Sequence, residues 1–112
     1  MPLNSFDKMR VLSALRMKHL PFIQTTAQHD VIIAIGEANA ASIPINYKQL
    51  SLLELMPPTT LQRTLKRLHA DALITKTQGT TDSRHINYAL TEFVANAYAA
   101  FFSAAEAEFS RN

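Results

Sequence analysis

The sequence predicts a mainly α-helical fold with one small β-hairpin, the arrangement of a winged helix-turn-helix flanked by N- and C-terminal helices. Three features of the chain predict it. The first two are a basic amphipathic segment at residues 58–71 and, directly after it, a hairpin pattern at 73–89 with charged residues at its tip. A third feature is a short helical stretch that ends at two prolines just before the basic segment. Two helices joined by a tight turn are the core of a helix-turn-helix.

Length and composition predict one compact domain over residues 1–112. The chain is 47% hydrophobic and has no linker rich in Gly, Ser or Pro, so it can bury a core of its own. Within this domain we expect a winged-helix core at 25–90 and terminal helices in 1–24 and 91–112. The net charge is only +2, so the distribution of charge matters more than its sum. Segment 63–84 is basic and the C-terminal segment is acidic.

Two helices should precede the helix-turn-helix. Residues 4–20 mix apolar and basic side chains at helical spacing, with Asn4 or Ser5 as a cap and Pro21 as the stop. A second helix should run from residue 25 or 26 to about 40, although its β-branched cluster also fits a strand. Its length favours a helix.

The stretch before the basic helix holds a short strand and a short helix. Residues 43–45, Ile-Pro-Ile, fit only a small edge strand, because proline cannot donate to a β-ladder. Asn46 and Gln49 have the spacing of a capping box, which predicts a helix over about 47–55. The prolines at 57 and 58 should end this helix and start the next.

The basic helix has an apolar stripe and a polar face. Leu61, Leu65 and Leu68 recur at steps of four and three, so this stripe should be buried. Thr59 and Gln62 have the spacing of a second capping box, so the helix should begin at residue 58 or 60 and end near 71. Its exposed residues should include Gln62, Arg63, Lys66 and Arg67.

The exposed face of this helix suits duplex DNA. Arg63 and Arg67 lie four residues apart and share a face, where one can reach a base edge and the other the backbone. Thr59 and Thr60, near the helix start, are hydrogen-bonding residues at the position from which base contacts usually come. The alternatives are a solvated face and, for Thr59, a cap only.

The hairpin should have strands at 73–77 and 84–89, joined by the turn residues 78–83. Arg84 at its tip suits the narrow, electronegative minor groove, and Asp82 is placed to orient its guanidinium, unless the two form only a surface ion pair. Lys76 and Thr81 are expected to contact phosphates. The predicted DNA-binding residues are Thr59, Thr60, Gln62, Arg63, Lys66, Arg67, Lys76, Thr81 and Arg84, with Asp82 in the orienting role.

The C-terminal segment predicts an aromatic helix that begins after Thr91. A helix this apolar needs a partner, and a small domain has little surface to cover both terminal helices, so pairing across a two-fold axis is favoured. The predicted homodimer interface consists of Phe6, Met9, Val94, Tyr98, Phe101, Phe102 and Phe109.

Several other classes of protein do not fit this chain. It has no cysteine for a disulfide or thiolate metal site, and its histidines lack the spacing of metal ligands. Neither a catalytic set of Ser, His and Asp nor a glycine-rich phosphate loop is visible, so we expect no metal, no cofactor and no enzyme activity. The most apolar stretch, 31–45, is interrupted by Glu37 and Pro44, which predicts a protein of the cytoplasm without a membrane span.

Residues 46–91 resemble the MarR family of bacterial winged-helix transcriptional regulators, and the match extends more loosely back to about residue 25. Asp82-Ser83-Arg84 and Leu90-Thr91-Glu92 are similar to that family's wing tip and to its entry into the next helix. Residues 58–63, with Leu68 and Leu73-Ile74, are similar to its recognition helix and exit. Ala72 replaces the glycine usual after the recognition helix, and the chain ends without the long final helix of typical members.

The resemblance implies a homodimer held by the terminal helices, with recognition helices in successive major grooves of a pseudo-palindromic duplex and wing arginines in the minor grooves. Arg84 inherits the wing role and Asp82 that of orienting it. One alternative is a winged helix used as a protein-interaction module. Another is an architectural, phage-type or plasmid-type DNA-binding protein without an effector. A small-molecule effector between wing and terminal helices stays open, although the same apolar residues fit core and dimer interface.

Overall fold

The computed structural model describes residues 4–78 and 86–110. Within these residues the predicted class, a mainly helical winged helix with one antiparallel hairpin, is confirmed. In chain order the elements are α1 (Ser5–His19), α2 (Thr26–Ala40), α3 (Tyr47–Leu52), α4 (Pro58–Ala70), β1 (Ile74–Gln78), β2 (Ile86–Leu90) and α5 (Glu92–Phe109).

Side-chain caps begin the first three helices. The Asn4 side chain accepts a hydrogen bond from the third amide of its helix at 2.8 Å, and the Thr25 hydroxyl does the same at 3.1 Å. Asn46 and Gln49 form a full capping box, each side chain accepting from the other's backbone amide. The predicted starts of all three helices are therefore confirmed.

α3 is shorter than predicted, and α4 begins without the predicted capping box. α3 ends at Leu52, and Glu54 adopts a left-handed φ of 52° that turns the chain towards α4. The capping box predicted at Thr59 and Gln62 is wrong. α4 starts at Pro58, with Pro57 at the cap position, and it has no side-chain cap because the proline ring carries no hydrogen-bond acceptor.

The edge strand predicted at 43–45 is also wrong. In the described part of the chain one backbone bond joins this segment to the hairpin, from the Tyr88 amide to the Ile45 carbonyl at 2.9 Å, beside an isolated bridge between Asn46 and Asn87. Pro44 has no amide hydrogen, so the ladder cannot extend towards residue 43. The hairpin itself pairs Ile74 with Leu90 through to Gln78 with Ile86, close to the predicted strands.

The core lies where α2, α4, α5 and the hairpin meet. α4 contributes the predicted stripe Leu61, Leu65 and Leu68, which are at most 3% exposed. Burial of each such side chain stabilises the fold by roughly 1.5–3 kcal/mol. From α2, Asn39 fixes the end of the hairpin, because its Oδ1 accepts the Leu90 amide at 3.0 Å.

The two terminal helices differ in how much they bury. In α5, Val94, Tyr98 and Phe101 are buried within the single chain, whereas α1 has no buried residue. Of the residues predicted for a dimer interface, these three therefore contribute to the chain's own core. The residues that keep surface are Phe6 (86% exposed), Met9 (61%), Phe102 (52%) and the half-buried Phe109. No helix in the described part of the chain, α5 included, has both the length and the apolar character to cross a bilayer.

Candidate nucleic-acid interface

α4 presents a polar face opposite its leucine stripe. The side chains of Thr59, Gln62, Arg63, Lys66 and Arg67 are exposed, and that of Thr60 is half-buried. At about 100° per residue, the positions of Thr59, Arg63 and Lys66 run along the centre of this face. The burial predicted for the helix is therefore confirmed, and five of its six predicted site residues are exposed.

The start of α4 is tied to α3 by a contact that the sequence pattern did not indicate. The Gln62 side-chain amide donates to the Tyr47 hydroxyl at 3.3 Å. Tyr47 also lies close to β2, where burial and the neighbouring Tyr47 together raise the pKa of Tyr88. Because the two partners are far apart in sequence, no local signal would have revealed that Tyr47 positions Gln62.

Arg67 forms an ion pair with a neighbouring carboxylate. Its Nε donates to Asp71 Oδ2 at 2.9 Å, in a pair whose side chains are 58% and 38% exposed. A pair this exposed contributes little stability, and neither terminal nitrogen of the guanidinium has a partner within residues 4–78 and 86–110. The spacing of four residues between Arg67 and Asp71 was visible in the sequence and indicates this pairing.

Arg63 and Lys66 have no hydrogen-bond or ion-pair partner within residues 4–78 and 86–110. Both charges stand on a helix whose opposite face is fixed in the core. A rigid helix with free cations can bind an anionic groove without first breaking internal contacts.

The predicted wing residues fall in two groups. Lys76 is exposed on β1, opposite Tyr88 in the hairpin register. Thr81, Asp82 and Arg84, at the predicted tip, lie outside the described residues. Lys76 is therefore the wing residue whose position the structure gives.

A histidine and a tyrosine join α2 to α5 behind this face. His29 Nδ1 lies 2.8 Å from the Tyr98 hydroxyl, and the two rings stack with centroids 5.6 Å apart. Burial lowers the pKa of His29, Arg16 lowers it further, and Asp30 partly opposes both. Burial raises the pKa of Tyr98 to about 12. Both side chains are therefore neutral at pH 7 and act as a structural link.

The apolar space anticipated between hairpin and terminal helix is present as a cavity of about 390 Å³ between α2, β2 and α5. Ile33, Gly36, Leu90, Ala99 and Phe102 are among its lining residues, and Glu37 stands at its edge. At Gly36, helix α2 packs closely against β2, since a Cβ there would lie 3.3 Å from Leu90 Cδ1.

Several solved structures share this fold. RV1404 from Mycobacterium tuberculosis is 22% identical with a TM-score of 0.74, over 92% of this chain and 70% of that one. The Staphylococcus aureus MepR–DNA complex is 16% identical with a TM-score of 0.73, over 93% and 73%. A MarR family transcription regulator, SP03579, is 20% identical with a TM-score of 0.62, over 91% and 65%.

These structures establish the fold of the chain. It is that of MarR-type winged-helix regulators, as the resemblance in residues 46–91 predicted. The chain spans 58% of the length of the Lactococcus lactis ZitR structure and 65% of SP03579, so it corresponds to part of these proteins. No protein-family model and no curated protein matches the sequence.

Proposed function

We propose that this protein is a transcriptional regulator that binds duplex DNA sequence-specifically as a homodimer. The observation that carries the proposal is the exposed cationic face of α4, which is held rigid by the buried leucine stripe behind it. The fold supports the proposal, because one of the structures that share it, MepR, is a complex with DNA.

In this proposal α4 enters the major groove, which admits one α-helix. Arg63, at the centre of the exposed face and without a partner among the described residues, contacts a guanine edge, for which arginine has the matching pair of donors. Thr59, Thr60 and Gln62 contribute base-edge hydrogen bonds from the first turns of the helix. Lys66 and Arg67 bind the flanking phosphates and set the depth of the helix in the groove.

The wing contributes contacts beside the major groove. We assign Lys76 and Thr81 to phosphates, Arg84 to the adjacent minor groove, and Asp82 to the orientation of that arginine. A narrow minor groove has enhanced negative potential, which favours an inserted arginine.

The homodimer is proposed to form through the terminal segments 1–24 and 91–112, with 25–90 as the DNA-binding core. Phe6, Met9, Phe102 and Phe109 keep apolar surface that a second copy would cover. A two-fold dimer places its recognition helices about one DNA turn apart, or roughly 10 base pairs. Such a regulator acts in the bacterial cytoplasm, and an apolar effector, if it has one, would enter the cavity between α2, β2 and α5.

The test is fluorescence anisotropy with the protein's own upstream DNA and a scrambled duplex at several salt concentrations. The proposal predicts tighter binding to the upstream DNA and a steep loss of affinity with salt. Equal binding to both duplexes would favour an architectural DNA-binding protein. Absence of binding to either would favour the protein-interaction module.

A further inference from the structure

A small polar cavity lies on the flank of α4, between this helix and the start of α2. Its volume is about 290 Å³, several times the ~30 Å³ that one water molecule occupies in the liquid. Its lining residues are Gln24, Thr25, Gln28, Arg63, Thr64 and Arg67. Two of these carry guanidinium groups and none carries a carboxylate, so the cavity has a positive potential.

Gln28 supplies a nearly buried donor to this cavity. The residue is only 5% exposed, and its Oε1 accepts the Gln24 amide at 2.7 Å. This bond fixes the side-chain amide so that Nε2 is the free end, and Nε2 donates to no residue in the described part of the chain. Among the described residues no buried side-chain polar atom lacks a partner, so Nε2 reaches the solvent-filled cavity, where it can donate to a bound acceptor.

The first turn of α2 lies beside the cavity, which Thr25 and Gln28 line. The Thr25 hydroxyl already caps the Gln28 amide, so the amides of residues 26 and 27 are the ones left without a partner among residues 4–78 and 86–110. The positive end of the helix dipole lies at the same place. A helix start that meets two arginines has the donors and the charge that favour an oxyanion.

The arginines can reach an anion without losing other contacts. Arg67 uses only its Nε for Asp71, and Arg63 has no partner in the described residues. Two guanidinium groups on one cavity wall repel each other, and an anion between them would relieve that repulsion. Together with Gln28, they line the cavity with donors of two kinds, guanidinium and side-chain amide.

We propose that this cavity binds a phosphate-type oxyanion. This identification rests on the proposed function: the anion is a backbone phosphate of the duplex beside the recognition helix. Free inorganic phosphate is the other source of the same chemistry. Gln28 and the start of α2 then act with Arg67 as a phosphate clamp, while Arg63 reaches from the clamp towards the base edges. Such a contact fixes the register of α4 in the groove rather than reading sequence.

The decisive variant is Gln28→Glu. It keeps an oxygen to accept the Gln24 amide and nearly the same volume, but it replaces the free donor with a negatively charged oxygen. Asn96→Asp is the matched control, because it makes the same chemical change on the exposed surface of α5. Arg67→Gln, at an exposed position, repeats the test if Gln28→Glu does not fold, as judged by circular dichroism.

The first arm of the experiment measures thermal stability in inorganic phosphate at constant ionic strength. Wild type and Asn96→Asp should be stabilised and Gln28→Glu should not. The second arm measures duplex affinity against salt. Gln28→Glu should bind roughly tenfold more weakly and lose about 0.9 from the slope of log affinity on log salt, the value for one phosphate contact. Asn96→Asp should keep the wild-type slope.

The two arms separate failure of this site from failure of the proposed function. If Gln28→Glu matches Asn96→Asp in both arms, the anion site is wrong, and salt-dependent duplex binding by the wild type still supports a DNA-binding regulator. If phosphate stabilisation alone depends on Gln28, the site takes a free anion and the DNA-phosphate assignment is wrong. If the wild type binds phosphate but no duplex, the site stands and the proposed function fails.

Discussion

Helices α4 and α1 carry the same net charge but differ in how they pack against the rest of the chain. α4 buries Leu61, Leu65 and Leu68 almost completely, whereas α1 has no fully buried residue and leaves Phe6 86% exposed. The cations of α4 fall within about 100° of its circumference, while those of α1 are spread around the whole helix.

This difference shows which surface suits which kind of partner. The apolar stripe of α4 is covered by its own chain. The surface that remains exposed is polar and positively charged, and it fits an anionic ligand. The apolar side chains of α1 are not all covered by its own chain, since Phe6, Met9 and Met17 are exposed. An apolar surface of this kind is more stable when a second apolar surface covers it, which favours self-association.

The largest expected effect comes from the buried stripe. Leu68→Ala should lower the free energy of unfolding by about 2–5 kcal/mol, because it leaves a cavity in the core. Phe6→Ala should change it by less than about 0.5 kcal/mol when measured at concentrations where the chain is monomeric. Urea unfolding of both variants measures the contrast. Equal losses would mean that α1 is as much a part of the core as α4.

Arg63→Ala tests the exposed face of α4. Loss of a base-edge contact should weaken duplex binding by about 1–3 kcal/mol, roughly 5- to 150-fold, and relax the preference at one position of each half-site. Arg10→Ala is the matched control on α1, where the arginine is paired with Asp7 at 3.3 Å. Anisotropy with a panel of duplexes measures both, and equal weakening by the two variants would assign binding to overall charge rather than to α4.

Much of this contrast could be predicted from the sequence, because it depends on local spacing. The leucine spacing predicted the buried stripe of α4, and the Asn46–Gln49 pair predicted a capping box that the structure contains. The same pattern failed at Thr59 and Gln62, since the prolines before them start the helix earlier and without a cap. The capping-box spacing predicts a cap only where the residue at the cap position has a side chain that can accept a hydrogen bond.

Other features depend on contacts between segments far apart in the chain. Gln62 meets Tyr47, and Gln28 lies on one cavity wall with Arg63 and Arg67. The apolar stripe of α5 was assigned to a dimer interface, although its central residues lie in the chain's own core. Periodicity tells that a face is apolar, but only the fold tells which surface covers it.

A smaller effect is expected at the exit from α4. Ala72 has a φ of 59°, a left-handed conformation that costs a residue with a Cβ about 1 kcal/mol. Ala72→Gly should therefore stabilise the protein by roughly 1 kcal/mol, whereas Ala70→Gly, at the last residue of α4, should destabilise it by up to about 1 kcal/mol. Thermal unfolding of the two variants measures the sign. A loss of stability in Ala72→Gly would show that this junction is not strained.

The smallest effect concerns the link between α2 and α5. Because the pKa of His29 is lowered in the folded chain, the unfolded chain takes up a proton more readily as the pH falls below 6.5. Stability should therefore be fully present above pH 6.5 and decrease as the pH falls through the folded pKa. His29→Gln should remove this part of the pH dependence and His69→Gln should not. Urea unfolding between pH 5 and pH 8 distinguishes them, and identical profiles would count against the link.

The most direct test of the central claim is a hydroxyl-radical footprint of the protein on its own upstream DNA. The account predicts two protected patches on one face of the duplex, about 10 base pairs apart, both lost in Arg63→Ala and both kept in Arg10→Ala. One patch alone, or protection that does not depend on Arg63, would contradict a dimer that reads DNA through α4.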